Sequence, residues 1–98
     1  MVIPDAFKDL CSYFHQDVFL VHSTPEEMIA SALEQMRFLG QLNDERKGVL
    51  RQFLDELLSG RHTSAEIRQM WWETPAEIYF PKDEVLLAFL QSIRDAMG

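Results

Sequence analysis

The sequence predicts an all-α fold, a compact single-domain bundle of about five helices over residues 1–98. Apolar residues recur at i, i+3, i+4 and i+7 spacing through most of the chain, and helix-start signals precede several of these stretches. A chain of 98 residues that is 47% hydrophobic can bury one core without a disulfide or a metal, and it leaves no room for a second domain.

The first predicted helix begins near Pro4, because proline suits the first turn of a helix. It should end around residues 13–17, which carry the sequence Tyr13-Phe14-His15-Gln16-Asp17 and are called the 13–17 motif below. One face of this helix is apolar and is formed by Phe7, Leu10, Cys11 and Phe14.

The second helix is predicted over 25–39, with Thr24 as N-cap, Pro25 at the first position and Glu27 completing a capping box. Gly40 can adopt the left-handed conformation that ends a helix. The apolar positions expected to face the core are Ile29, Ala32, Leu33, Met36 and Leu39.

The third helix is predicted to start at an Asn43 cap, to run through Leu58 and to end at Gly60. Its expected buried stripe consists of Val49, Leu50, Phe53, Leu54, Leu57 and Leu58. A second capping box at Thr63-Ser64-Ala65-Glu66 predicts a short fourth helix that ends near Thr74-Pro75.

The last helix is predicted to hold Pro81 in its first turn. Its apolar face should consist of Val85, Leu86, Phe89, Leu90, Ile93 and Met97. Residues 78–80 look extended, and the only candidate strand partner is 17–21, so a minor two-stranded contact between them is a further expectation.

Composition narrows the classes of partner and compartment. The formal net charge is −7, which disfavours nucleic acid and anionic membranes as partners and favours a basic protein. The single cysteine cannot form an internal disulfide, so we expect a reducing compartment, the cytoplasm. No stretch is apolar enough to predict a secretory signal or a membrane-spanning helix.

The 13–17 motif has two possible interpretations: a reactive site, or a cluster of hydrogen-bonded side chains that fixes how the helices pack. His15, Asp17 and His22 could supply metal ligands, but a closed zinc site needs four ligands and the chain has neither an HExxH nor a CxxC pattern. Cys11 lies on an apolar face, which favours a core position over nucleophilic catalysis, and Ser12 has no nucleophile elbow around it. We therefore expect no catalytic residue, no metal and no cofactor.

Two adjacent tryptophans provide the strongest candidate for a binding residue. Neighbours on a helix point about 100° apart, so Trp71, which continues the row of Ile67, is expected in the core and Trp72 at the surface. The alternative is that both are core residues. An exposed tryptophan is a typical anchor of protein interfaces.

Acidic residues surround the tryptophans in the sequence. As a group they form our candidate partner-binding surface, although an ordinary solvated helix surface is the simpler interpretation of any single acid. A second acidic group in the first half of the chain is the alternative surface: Asp9, Glu26, Glu27 and Glu34. The candidate surface consists of Trp72 with Glu66, Glu73, Glu77, Asp83 and Glu84.

The 13–17 motif, followed by Thr24-Pro25-Glu26-Glu27, resembles a family of small bacterial immunity proteins from contact-dependent growth inhibition systems. The resemblance continues through Glu45-Arg46 and residues 54–58 into the last predicted helix, and it covers roughly residues 7 to 97. The chain departs from the family at residues 18–22, which are more apolar than in family members and leave the first interhelical connection in doubt.

The resemblance implies a cytoplasmic antitoxin that binds the C-terminal toxin domain delivered by a neighbouring cell and that is not an enzyme. Toxins of these systems are often nucleases, whose substrate-binding surfaces are basic, and a chain of net charge −7 would complement such a surface. The alternative function is a small acidic helical adaptor or regulator of an endogenous protein. Neither interpretation predicts an oligomeric state.

Overall fold

The computed structural model describes residues 1–15 and 24–97, and the described residues form five α-helices and no β-strand. The all-α prediction is therefore confirmed for this part of the chain. The radius of gyration, 12.6 Å, is the value expected of a compact domain of this length. The helices are α1 (Asp5–Cys11), α2 (Pro25–Phe38), α3 (Asp44–Leu57), α4 (Ser64–Trp72) and α5 (Asp83–Ala96).

The helix starts follow the predicted capping chemistry. The side chains of Thr24 and Asn43 each accept a hydrogen bond from the backbone N–H three residues later, at 3.2 and 2.8 Å. Thr63 and Glu66 form a complete capping box, with reciprocal side-chain to backbone bonds of 3.1 and 2.9 Å. These bonds satisfy amide donors that the first turn of each helix leaves without a partner.

The predicted helix ends are confirmed at two glycines. Gly40 has φ +75° and Gly60 has φ +88°, the left-handed conformation that costs other residues energy. The predicted start of α5 is wrong by a short distance, because Pro81 precedes the helix and Lys82 is the N-cap residue, with an extended backbone.

The core lies where all five helices meet. Helix α2 packs most extensively on α5, and α1 packs on α2 and α3. The N-terminal turn of α2 and the last turn of α5 line one surface cavity. An aromatic cluster occupies the core, with ring centroids 5.0–6.5 Å apart. Its members are Phe7, Phe14, Phe53, Trp71, Phe80 and Phe89.

Three residues predicted to face the core are exposed instead. Leu39 is 62% exposed because it follows the last residue of α2, where the backbone leaves the helical path. Val49 and Val85 are 40% and 46% exposed, since each lies about a quarter turn from the centre of its helix's buried face. Leu58 is half-buried against the core. The apolar stripes are therefore narrower than the sequence pattern suggests.

The extended segment 76–80 packs against the core with one of its two faces. Ile78 and Phe80 are buried and Tyr79 is exposed, as expected of an extended chain. Hydrogen bonds to the end of α1 and to α4 hold this segment: the Glu77 N–H donates to the Phe14 carbonyl at 2.8 Å, and the Trp71 indole donates to the Ile78 carbonyl at 2.9 Å. The Arg68 guanidinium donates to the Phe80 carbonyl at 2.6 Å. The expected partner strand, 17–21, lies outside the described residues.

Candidate protein-binding surface

Helix α4 presents one buried and one exposed side. Ile67, Met70 and Trp71 point into the core, and Trp71 is only 2% exposed. Trp72 is 59% exposed, which confirms the predicted division between the two tryptophans. We call the solvent side of this helix the Trp72 face, and it consists of Ala65, Glu66, Gln69, Trp72 and Glu73.

Two of the predicted acids lie on the Trp72 face. Glu66 and Glu73 are two helical turns apart on one flank of the helix, and both are exposed. They line a shallow cavity of about 310 Å³ together with Met1, Ala65, Gln69 and Met70. The structure therefore brings these two carboxylates together beside an apolar floor.

Glu66 is also a structural residue. The backbone N–H of Thr63 donates to its carboxylate, and this bond is the main reason that the pKa of the Glu66 carboxyl lies below its usual 4.5. The Thr63 hydroxyl and the nearby His62 lower this pKa further. Glu66 thus remains charged at neutral pH at the start of the helix, where negative charge is favourable.

The Arg68–Asp83 pair closes the other flank of the Trp72 face. The Arg68 guanidinium contacts the Asp83 carboxylate at 2.6 Å and donates to the Phe80 carbonyl, also at 2.6 Å. The Asp83 carboxylate is therefore ion-paired, and the pair joins the start of α5 to α4. The partner contact predicted for Asp83 from the sequence stays a prediction.

The two remaining predicted acids lie away from α4. Glu77 is exposed in the extended segment, and Glu84 is exposed in the first turn of α5. Among the described contacts, none joins either residue to Trp72. The predicted acidic group is thus split between a pair on the Trp72 face, one ion-paired residue and two separate acids.

Tyr13 and Phe14 of the 13–17 motif contribute to the packing of the fold. Phe14 is fully buried against Trp71 and Phe89. The Tyr13 hydroxyl donates to the Gln41 side chain at 2.6 Å, which connects the end of α1 to the connection after α2. His15 is exposed, while Gln16 and Asp17 lie outside the described residues.

The groups considered for catalysis or metal binding show the following environments. Cys11 is buried as predicted, and burial raises the pKa of its thiol to about 12, so that the reactive thiolate is scarcely populated at neutral pH. The Ser12 hydroxyl donates to the Asp9 carbonyl at 2.6 Å. Within residues 1–15 and 24–97, no group of three or more acidic, histidine or cysteine side chains could hold a metal ion. Asp17 and His22 lie outside those ranges.

A second exposed apolar feature was not predicted. Phe38 is 88% exposed at the end of α2, next to Leu39, and both line a cavity of about 360 Å³ with Ser31, Glu34 and Gln35. Phe38 follows the buried Met36 by two residues, which places it off the apolar face of α2. The two-residue spacing between Met36 and Phe38 could therefore have predicted the exposure of Phe38 from the sequence.

None of the described helices has the length and apolar character needed to cross a bilayer. No protein-family model, curated protein or solved structure matches this chain. The resemblance carried by the 13–17 motif therefore stays a prediction, and the candidate surface is defined by its geometry: an exposed tryptophan between a pair of carboxylates and an ion-paired arginine.

Proposed function

We propose that this chain is a cytoplasmic immunity protein that neutralises a basic toxin domain by stoichiometric binding through the Trp72 face. The observation that carries the proposal is the 59% exposure of Trp72 on a well-packed helix. Tryptophan is enriched among the residues that contribute most to binding, since it buries a large area with few rotatable bonds. The resemblance of the 13–17 motif to immunity proteins supports the same function.

Charge supports a basic partner. The chain carries a net charge of −7, and the Trp72 face adds Glu66 and Glu73 beside the aromatic ring. A nuclease toxin must present positive charge to hold phosphate groups, so the two surfaces would attract each other during association. Electrostatic attraction raises the association rate, and the aromatic anchor slows dissociation.

The rigidity of α4 supports binding without large rearrangement. Trp71 anchors the helix in the core, and Arg68 ties it to Phe80 and Asp83. A preorganised surface loses little conformational entropy when it binds. A stable interface buries about 800 Å² on each partner, which one face of a small domain can supply. Such an interface would cover the toxin's active site or block the approach of its substrate.

The test is co-expression with a basic toxin domain encoded beside this chain, followed by isolation of the complex and calorimetry. Trp72→Ala should weaken binding by about 30-fold or more, the loss typical of an anchor residue, and leave the fold intact. Phe38→Ala is the matched control, because it removes an even more exposed aromatic ring from another part of the surface. It should leave affinity unchanged.

Two results would contradict this proposal. Cell survival without any detectable complex would exclude neutralisation by binding. A complex whose affinity is the same with and without the Trp72 ring would place the interface elsewhere.

The second candidate function, an adaptor for an endogenous protein, is favoured by the exposed pair Phe38 and Leu39. An adaptor that used this pair would lose its partner in the Phe38→Ala variant and keep it in the Trp72→Ala variant. The same two variants, compared by affinity purification from the native cell, therefore distinguish the two functions.

A further inference from the structure

An apolar patch with a cavity lies at the end of α2. Phe38 is 88% exposed and Leu39 is 62% exposed, and both line the cavity of about 360 Å³. Positions 31, 34, 35 and 38 follow the spacing of one helix face, so the cavity runs along the solvent side of α2. Its volume is sufficient for an aromatic ring. We call its lining the Phe38 patch, and it consists of Ser31, Glu34, Gln35, Phe38 and Leu39.

Charges of opposite sign border the Phe38 patch. Glu34 belongs to it, and Arg37 lies three residues further along the same helix, with both side chains exposed. Within residues 1–15 and 24–97, neither of them takes part in an ion pair. The local charge is therefore balanced, whereas the whole chain carries −7. Unlike the Trp72 face, this patch has no excess of negative charge that would select a basic partner.

We infer that the Phe38 patch is the interface of a symmetric dimer, in which α2 of one chain packs antiparallel against α2 of a second copy. A two-fold axis level with the midpoint between Gln35 and Met36 puts Glu34 and Arg37 equally far from the axis. Glu34 of each copy is then level with Arg37 of the other. The two charges that lack ion-pair partners in the single chain thus complement each other twice across the axis.

The same arrangement fills the cavity of each copy with an aromatic ring. Side chains on a helix lean toward its N-terminus, so the Phe38 ring of one copy lies level with Glu34 of the other. At that level it meets the cavity between Ser31 and Gln35 of the second copy. Each copy therefore supplies one ring and accepts one, and removal of both rings from water favours association.

The interface spans only about two turns of one helix from each copy, which places it among the small, weak interfaces. We expect a dissociation constant on the order of 100 μM. The Trp72 face lies on α4 and shares no residue with the Phe38 patch. A dimer would therefore carry two Trp72 faces and bind two copies of a basic partner, a consequence that rests on the proposed function. The dimer itself can be tested on the isolated protein.

The first experiment is sedimentation velocity between about 10 μM and about 1 mM protein. A salt concentration of about 0.15 M screens the general repulsion between two acidic copies. The natural chain should change from monomer to dimer across this range. Phe38→Ala should weaken association by about 30-fold or more and stay monomeric. Trp72→Ala is the matched control, because it removes an exposed aromatic ring from another helix, and it should dimerise like the natural chain.

The second experiment exchanges the charges across the axis. Glu34→Arg and Arg37→Glu each bring like charges together in both contacts, so either variant alone should stay monomeric. An equimolar mixture restores attraction in both contacts and should form a dimer with one copy of each variant. This rescue distinguishes the two-fold arrangement from non-specific adhesion of exposed apolar rings. Circular dichroism checks that all the variants are folded.

Any of four results would overturn the inference: a natural chain that remains monomeric at about 1 mM, a dimer that persists in Phe38→Ala, an equal loss of association in Trp72→Ala, or a mixture of the charge variants that does not associate. Because these measurements contain no toxin domain, a failure here is separate from a failure of the proposed function.

Discussion

Trp71 and Trp72 are neighbours in the sequence, yet one is 2% exposed and the other 59% exposed. The ring of Trp71 packs against four phenylalanine rings and its indole donates to the Ile78 carbonyl. Trp72 points to solvent between Glu73 and the Arg68–Asp83 pair. The difference teaches that a helix can separate the side chain that stabilises the fold from the one that is free to recognise a partner.

Replacing each tryptophan in turn tests this separation most strongly. Trp71→Ala should lower the free energy of unfolding by about 3–5 kcal/mol, because it leaves a cavity among the aromatic rings and removes a buried hydrogen bond. Trp72→Ala should change it by less than about 0.5 kcal/mol. Urea unfolding followed by circular dichroism measures both. Equal losses would mean that Trp72 also stabilises the fold.

The Arg68 contacts allow a sharper test of what holds the buried side of α4. Arg68→Met should cost about 1–3 kcal/mol, because it leaves the Phe80 carbonyl without its hydrogen bond and Asp83 without its cation. Asp83→Asn, which keeps the Arg68 bond to Phe80, should cost less than about 1 kcal/mol. If the two variants are equally destabilised, the ion pair outweighs the carbonyl bond.

The smallest expected effect concerns the exposed side of α4. The pKa of Glu66 is lowered in the folded chain, so its contribution to stability is present above its usual value of 4.5 and is lost as the pH falls below it. Glu66→Gln retains a capping side chain without the charge. Between pH 6 and pH 3.5, the free energy of unfolding measured with urea should therefore fall less in this variant than in the natural chain.

The control for this change is Glu84→Gln, which removes an exposed acid from the first turn of a different helix. This variant should lose as much stability at acid pH as the natural chain does, because Glu66 is unchanged. If the free energy of unfolding depends on pH in the same way in the natural chain and in Glu66→Gln, the charge of the Glu66 carboxylate contributes nothing to stability.

Local features of the fold were predictable from the sequence because their causes are local. The caps at Thr24, Asn43 and Thr63 depend on bonds to residues three positions away. The two faces of α4 follow from its helical period alone. The exposure of Leu39 was not predicted, because the apolar period continues into a residue that already lies beyond the helix.

The contacts that shape the candidate surface join residues distant in the sequence. Arg68 and Asp83 are 15 residues apart. Away from the candidate surface, the Arg46–Asp9 ion pair joins residues separated by 37 positions. Which acid pairs with which base depends on how the helices pack, and the spacing of charges along the chain does not contain that information. For this reason the ion pair between Asp83 and Arg68 was not predicted from the sequence.

The contrast between the tryptophans also gives this chain two optical probes. A solvent-exposed indole emits at longer wavelength than a buried one, and only the exposed ring is open to collisional quenching by acrylamide. Trp71 therefore reports unfolding of the core, and Trp72 reports the covering of its own face by a partner. Single-tryptophan variants, Trp71→Phe and Trp72→Phe, would let folding and association be followed separately in the same fluorimeter, without an added label.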